Sequence, residues 1–577
     1  MPVEQHTEQP DHAWRARAGR IAPLIDAAAY FGAAREAIMN ARRQVLIVGW
    51  ELHSEVELLR GEQAEHRRDD RPVVLADLLQ WAVEERPELR VYLLIWSGAS
   101  LFALEREHLP RMKRPWEMHE RIRLEWDRDT PSLGSQHQKL VVVDDLVAFV
   151  GGIDLTKARW DTHEHKREDP RRRTPGMFSS PSHPYHDAML ALDSDAARTL
   201  GEHARSRWRR AAGESLDPPT LDESPPDPWP ASVEPLLRDR EVSFALTEPK
   251  FNGRVGTRQV ERSFLDQFRA ARSLIYLETQ YLAADRLAEV LADRLREPRG
   301  PEVVLVLPYG CPGLVQSIAM DRQRDRLLDR LRDADEYDRL RALWPTLAGG
   351  DTTRPFADSV YVHAKVTVID DRLLRIGSAN LNNRSMGLDS ELDAFIEVGD
   401  DAEARGRVAS FRRRSMSYLL GCDAEEIARA EADAGSVVAA IDRLRGGERT
   451  LWPFEHRAAK LARAVPLDIR LADPDEPPDE LDTQRVLEAL AESTGIPERA
   501  RLARSRLIGL ARRHKPAAAL LAVACLAFGA TLGLASGNAG WWVGPIATLA
   551  LLAVAIALAA AFAAGPRLTS DSARGDA

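Results

Sequence analysis

The chain has 577 residues, too many for one ordinary core, so several domains or one large duplicated domain of ~150-residue units are expected. Apolar and charged fractions of 44% and 29% exclude global disorder, and a formal charge of −10 argues against a dedicated nucleic-acid binder, which would carry basic surface against phosphate. Cys311, Cys422 and Cys525 are far apart and lack metal-ligand spacing, so neither a disulfide framework nor a zinc site is readable.

Residues 1–30 are polar and lack the apolar core of a secretory signal. A helix is expected over 31–43, running into Val45, Leu46, Ile47 and Val48, a continuous branched run suited to a buried strand. A second helix (78–85) leads into a strand (91–96). The same order returns at 264–272 into 274–277 and at 287–296 into 303–307, so one α/β unit occurs twice. The first unit is expected over 31–216 and the second over 231–421. The proline- and acid-rich stretch 217–230 (DPPTLDESPPDPWP) can continue neither a helix nor a central strand and marks the linker.

Residues 422–512 form a charged helical tail, broken at 473–480 (DPDEPPDE). Within 513–577, the runs 516–535 and 541–564 are nearly free of charge, and each is long enough to cross a hydrocarbon core of about 30 Å as a helix. Only 536–540 separate them, which implies an antiparallel transmembrane hairpin. Arg512, Arg513, His514, Lys515 and Arg567 flank it, so the positive-inside tendency places both flanks, and the large N-terminal region, on the cytoplasmic side of a membrane.

The chemistry is carried by His137-x-Lys139-x4-Asp144 and His363-x-Lys365-x4-Asp370, in SQHQKLVVVDDLVAFVGGIDL and YVHAKVTVIDDRLLRIGSANL. Gly151 and Gly377 each follow the Asp by seven residues, and Asp154 and Asn380 each follow the His by seventeen. Two histidines suit phosphodiester cleavage: a neutral one attacks phosphorus while a protonated one donates to the leaving oxygen, and the roles then reverse. Two lysines place fixed positive charge where the pentacoordinate state gathers negative charge. This scheme requires no metal or other cofactor. A single motif would be weak, since a strand histidine is more often structural; two in register reverse that. Asp144 and Asp370 belong to the motif and to the catalytic set, but each stands near the end of a buried strand, suited to tying backbone amides or a turn.

These paired motifs resemble those of the phospholipase D superfamily. FVGGIDLTKARWDTHEH and PYHDAML in the first copy, and YLETQYL, IGSANLNNRSM and DSELDAF in the second, resemble phospholipases more than nucleases, over about residues 35–421. The resemblance implies a duplicated α/β fold, two mixed-sheet halves related by a pseudo-twofold axis and flanked by helices, with one site between them and a phosphohistidine intermediate. It implies His137 as nucleophile, His363 as general acid, and Lys139, Lys365, Asn380 and Ser378 as holders of the phosphoryl oxygens. Glu391 and Asp187 are the acids that orient the histidines. Asp154 replaces the Asn of the simplest motif and is not expected to bind phosphate. The basic stretch 166–174 is read as a solvated loop, with contact to lipid headgroups as the alternative, and Trp50, Trp96, Trp126 and Trp160 as core or pocket walls. His163, His165 and His186 have no counterpart in the second copy and fit no helix-borne metal motif.

The expected activity is headgroup cleavage of membrane glycerophospholipids to phosphatidate, with alcohols able to replace water. The alternatives are a cardiolipin-synthase-like transferase, a nuclease and an inactive membrane scaffold. The expected partners are a phospholipid substrate and the bilayer, with no nucleic acid, and one chain completes one site without an oligomer.

Overall fold

The first half contributes β1 (Trp14–Ile25), β2 (Gln44–Gly49), β3 (Arg90–Trp96), β4 (Ile122–Asp127), β5 (Leu140–Val143), β6 (Val147–Gly151), β7 (Tyr185–His186) and β8 (Ala188–Asp193). β2, β5, β6 and β8 are buried along their whole length, as branched apolar runs without alternation require of strands covered on both faces. They pair in the order β1-β8-β6-β5-β2-β3-β4, parallel from β2 to β4 and antiparallel elsewhere.

The second half contributes β9 (Leu237–Glu248), β10 (Thr257–Arg258), β11 (Leu274–Glu278), β12 (Glu302–Val306), β13 (Leu340–Thr346), β14 (Tyr361–Val362), β15 (Val366–Ile369), β16 (Leu373–Gly377) and β17 (Glu391–Glu397). Its order, β9-β17-β16-β15-β11-β12-β13, repeats the first strand for strand. β1 and β9 pair antiparallel, with Ala16 opposite Val242, and fuse the two halves into one mixed sheet. This computed structural model describes residues 12, 14–97, 119–131, 134–172, 183–221, 226–310, 320–349, 355, 357–454 and 473–476. These lie in one compact unit, while a second unit, residues 463–471 and 477–577, lies outside the described residues.

Three core clusters sandwich the sheet. One face is shared: Val48, Val142, Val306 and Val368 pack there with the helices Ser194–Ala212 and Ala402–Leu420. On the other face each half has its own core, built on the helix pair Ala27–Asn40 and Leu75–Glu85 in the first and Gln259–Ala270 and Asp285–Arg296 in the second. The two 19-residue helices end alike, at Gly213 and Gly421 with φ of 76° and 71°, a left-handed turn that glycine takes without steric cost.

Two expectations need correction. Residues 1–30 include β1, the strand that joins the halves, and not merely a polar lead-in. Its inward positions include Ala16 and Ala18, which alternate with Arg15 and Arg17, so the alternation is present with too little apolar bulk to announce a strand. The tail after 421 is not separate either: the helices Ala424–Ala434 and Val437–Leu444 lead to β18 (Thr450–Pro453), which pairs with β13 and extends the sheet. The expected transmembrane hairpin lies outside the described residues, among which no helix is long and apolar enough to cross a membrane.

Candidate active site

His137 and Lys139 lie in the extended segment immediately before β5, and His363 and Lys365 lie between β14 and β15. Sheet pairing therefore begins just after each lysine, one step later than a motif carried wholly on a strand. Each segment instead leans on the opposite half. The His137 amide donates to Ser390 O at 3.0 Å, and the His363 amide donates to His186 O at 2.8 Å. β14 pairs with β7, placing Val362 beside His186, and Gln136 bridges to Ser390 in the same sense.

The residue after His186 is Asp187, and the residue after Ser390 is Glu391, so the crossing brings each histidine to the other half's acid. His137 Nδ1 lies 3.0 Å from Glu391 Oε2, and His363 Nδ1 lies 2.6 Å from Asp187 Oδ2. With Nδ1 engaged by a carboxylate, Nε2 is the atom left for attack or proton transfer, the tautomer selection expected of an orienting acid.

The lysines are held by their own motifs. Lys139 Nζ donates to His137 O at 2.8 Å and pairs with Asp154 Oδ2 at 3.2 Å. Asp154 also accepts the amides of Trp50 and Glu51 at 2.9 and 3.3 Å, so its carboxylate is fully occupied within the first half. Lys365 Nζ donates to His363 O and reaches Gln280 Oε1 at 3.4 Å. Asn380, at the position matching Asp154, has Oδ1 buried with no hydrogen-bond partner, leaving that oxygen uncommitted.

Ser378 does not stand where a phosphoryl ligand should. Its hydroxyl donates to Glu391 Oε2 at 2.5 Å and accepts the Leu392 amide at 3.0 Å. Ser385, which sequence reasoning missed, donates to Glu391 Oε1 at 2.6 Å. Both hydroxyls fix the acid that fixes His137. In the first half the matching position is Gly152, where a Cβ would come 2.2 Å from Asp187 Oδ1, so the serine's place is filled by the carboxylate itself.

Asp144 and Asp370 leave the chemistry. Asp144 accepts the amides of Arg42, Arg43 and Gln44 at 2.6, 2.8 and 2.7 Å, and Asp370 accepts those of Arg272, Ser273 and Leu274 at 2.8, 2.7 and 2.9 Å. Both adopt φ of 55° at the far end of their strand from the histidine and tie it to the start of β2 or β11. Carboxylates committed to three backbone donors cannot also serve a substrate.

Burial opposes charge throughout the site. It pushes the Asp187 carboxyl up to about 7 against the pull of Lys365, and pulls Lys365 down to about 7 against Asp187. Glu391 is raised well above the carboxylate range by burial and by Asp389. Both imidazoles are lowered well below their ordinary value, first by burial and then by the nearby cations, Lys139 and Lys365 for His137, and Lys365 and Arg159 for His363.

His163, His165 and His186 do not form one cluster. The His163 ring packs 4.9 Å from that of Tyr418, whereas His165 and His186 gather with Asp26, their ligand-capable atoms within 4.8 Å of one another. His186 bonds carboxylates through both ring nitrogens, Asp26 at 3.0 Å and Glu278 at 3.1 Å, the two-donor pattern of an imidazolium. Burial opposes its charge, but those two acids raise it well above the ordinary value.

Comparison with known proteins agrees with this layout. A phospholipase D family model matches residues 37–286, and a model described as cardiolipin synthase, PLD-like domain, matches residues 264–407. The chain belongs to the phospholipase D superfamily and carries two such domains. Among curated relatives it is 25% identical to phospholipase D A of Dictyostelium discoideum over 69% of this chain and 35% of that one. It is 24% identical to phospholipase D1 of Saccharomyces cerevisiae over 70% and 29%, and 23% identical to phospholipase D alpha 1 of Vigna unguiculata over 69% and 64%. The chain thus spans less than two thirds of the length of these relatives. Solved structures similar to it include the phosphatidylserine synthase of Haemophilus influenzae Rd KW20, at 14% identity and a TM-score of 0.44 over 70% of this chain and 88% of that one. Another is NUC of Salmonella typhimurium, at 16% and 0.21 over 31% and 93%.

Proposed function

We propose that this chain is a phospholipase D-type phosphodiesterase that removes the headgroup of membrane glycerophospholipids. The observation that carries the reading is the reciprocal arrangement of His137 on Glu391 and His363 on Asp187, which supplies two oriented imidazoles to one cleft. In the first step His137 Nε2 bonds to phosphorus as the P–O bond to the headgroup breaks, and the His363 imidazolium gives its proton to the departing oxygen. In the second step neutral His363 takes a proton from water, whose oxygen bonds to phosphorus as the His137–phosphorus bond breaks, leaving phosphatidate. An alcohol in place of water gives the phosphatidyl alcohol. Lys139, Lys365 and the side-chain amide nitrogen of Asn380 donate to the phosphoryl oxygens.

A second reading is supported by the match of residues 264–407 to a cardiolipin-synthase domain model: the accepting alcohol would then belong to another lipid. We place the catalytic unit on the cytoplasmic face of a membrane, tethered through 516–535 and 541–564, whose length and lack of charge support that placement. The test is product analysis by mass spectrometry after the full chain is incubated with mixed phospholipid vesicles and ethanol, with His363→Ala as control. Phosphatidate and phosphatidylethanol are expected; cardiolipin in their place moves the enzyme to the transferase reading, and no lipid product with either acceptor contradicts both.

A further inference from the structure

Arg159 sits in the turn Lys157–Arg159 after β6, between the buried residues Leu155 and Trp160. Its position is fixed from the C-terminal side of the turn, where Asp161 accepts the Tyr185 amide at 2.8 Å and the Arg172 guanidinium at 3.0 Å. The Arg159 guanidinium carbon lies 5.3 Å from the Tyr185 ring centroid, and the His363 ring lies 5.4 Å from the same centroid. Arg159 and the second-half histidine are thus neighbours of one aromatic ring, although the arginine belongs to the first half.

Arginines elsewhere in the protein are mostly committed to acids: Arg172 to Asp161, Arg207 to Asp127, Arg375 to Asp393 and Arg412 to Glu431. Arg159 differs. No carboxylate among the described residues forms an ion pair with it, and its Nε, like those of Arg172 and Arg207, is buried with no hydrogen-bond partner. The first-half lysine by contrast has an acid partner, since Lys139 pairs with Asp154, which stands where the second half has Asn380.

We propose that Arg159 is a further phosphoryl-binding residue, holding the substrate's anionic oxygens from the first half as Asn380 does from the second. A guanidinium offers two parallel donors matched to two phosphoryl oxygens, and an arginine without an acid partner keeps its charge for the ligand. This inference rests on the reading of the cleft as a phosphodiester site, and it adds the residue that compensates for Asp154.

The test is calorimetric binding of tungstate, a tetrahedral oxyanion of phosphate shape, to the full chain and to R159Q and R159K, with thermal melting of each. R159Q is expected to weaken binding about 10- to 100-fold at unchanged melting temperature, and R159K to recover part of it, because the charge returns without the fork. Turnover of bis(p-nitrophenyl) phosphate, which carries no lipid headgroup, should fall in parallel. Unchanged tungstate affinity in folded R159Q, or no tungstate binding by the wild type, overturns the proposal. So does a loss confined to lipids with anionic headgroups, which would make Arg159 a headgroup reader. Should R159Q not fold, R159K decides: wild-type tungstate affinity there overturns the bidentate assignment. Tungstate binding that depends on Arg159 in a protein that cleaves no phospholipid would leave this site standing and remove the lipid reading.

Discussion

Asp187 Oδ2 lies 2.6 Å from His363 Nδ1, across 176 residues and across the two halves. The contact exists because β14 pairs with β7, which sets the backbone of the second motif against the residue preceding the acid. Glu391 and His137 repeat it in the opposite direction, so neither half holds a complete site. Asp187→Asn keeps the shape but removes the charge that selects the tautomer and stabilises the imidazolium. It is expected to lower kcat by about 100-fold or more with little change in KM, as measured by steady-state kinetics. Activity within twofold of wild type would remove Asp187 from the mechanism.

Ser378 separates a positioning role from a binding one. Because its hydroxyl is spent on Glu391 and Leu392, Ser378→Ala should reduce kcat roughly tenfold and leave KM unchanged, and Ser385→Ala should behave alike. A raised KM at constant kcat would return Ser378 to the phosphoryl-binding set.

The motif aspartates are predicted to act on stability alone. Asp144→Ala strands three backbone amides at the entry to β2, and Asp370→Ala does the same at β11. Each should cost about 3 kcal/mol in urea unfolding while the molecules still folded at low temperature keep near-normal kcat. Loss of kcat without loss of stability would contradict this assignment.

Much of this was legible in the chain. Both motifs, the repeated helix–strand pairs at 31–48 and 264–277, and the tying role of Asp144 and Asp370 follow from spacing and apolar patterning; the acids Asp187 and Glu391 came only through family resemblance. The features that were not legible lack periodicity. β1 hides its inward face behind alanines, β18 is four residues at a sheet edge, and Ser385 reaches Glu391 through a contact no pattern announces. The buried set of Asp26, His186 and Glu278 joins three distant positions, and polar pairs made by tertiary folding leave no local signal.

Anion binding should depend on pH with a definite sign. Lys365, held down to about 7, is charged below that value and neutral above it, and both imidazoles gain protons more readily once an anion offsets the neighbouring cations. Binding is therefore coupled to proton uptake. Tungstate affinity is expected to be higher below about pH 7 and to fall as pH rises through it, with proton uptake visible as a buffer-dependent enthalpy in calorimetry. An affinity that rises with pH, or one flat from pH 6 to 9, would contradict this.

The most direct test of the two-histidine account is to trap the covalent step. A phosphatidyl ester of p-nitrophenol needs little help from a general acid, so His363→Ala should still form the bond at His137 yet be unable to activate water to break it. After alkaline quench and peptide mapping by mass spectrometry, the account predicts a phosphatidyl adduct on His137 in His363→Ala and none in His137→Ala. An adduct on any other residue, or steady release of phosphatidate by His137→Ala, would contradict it.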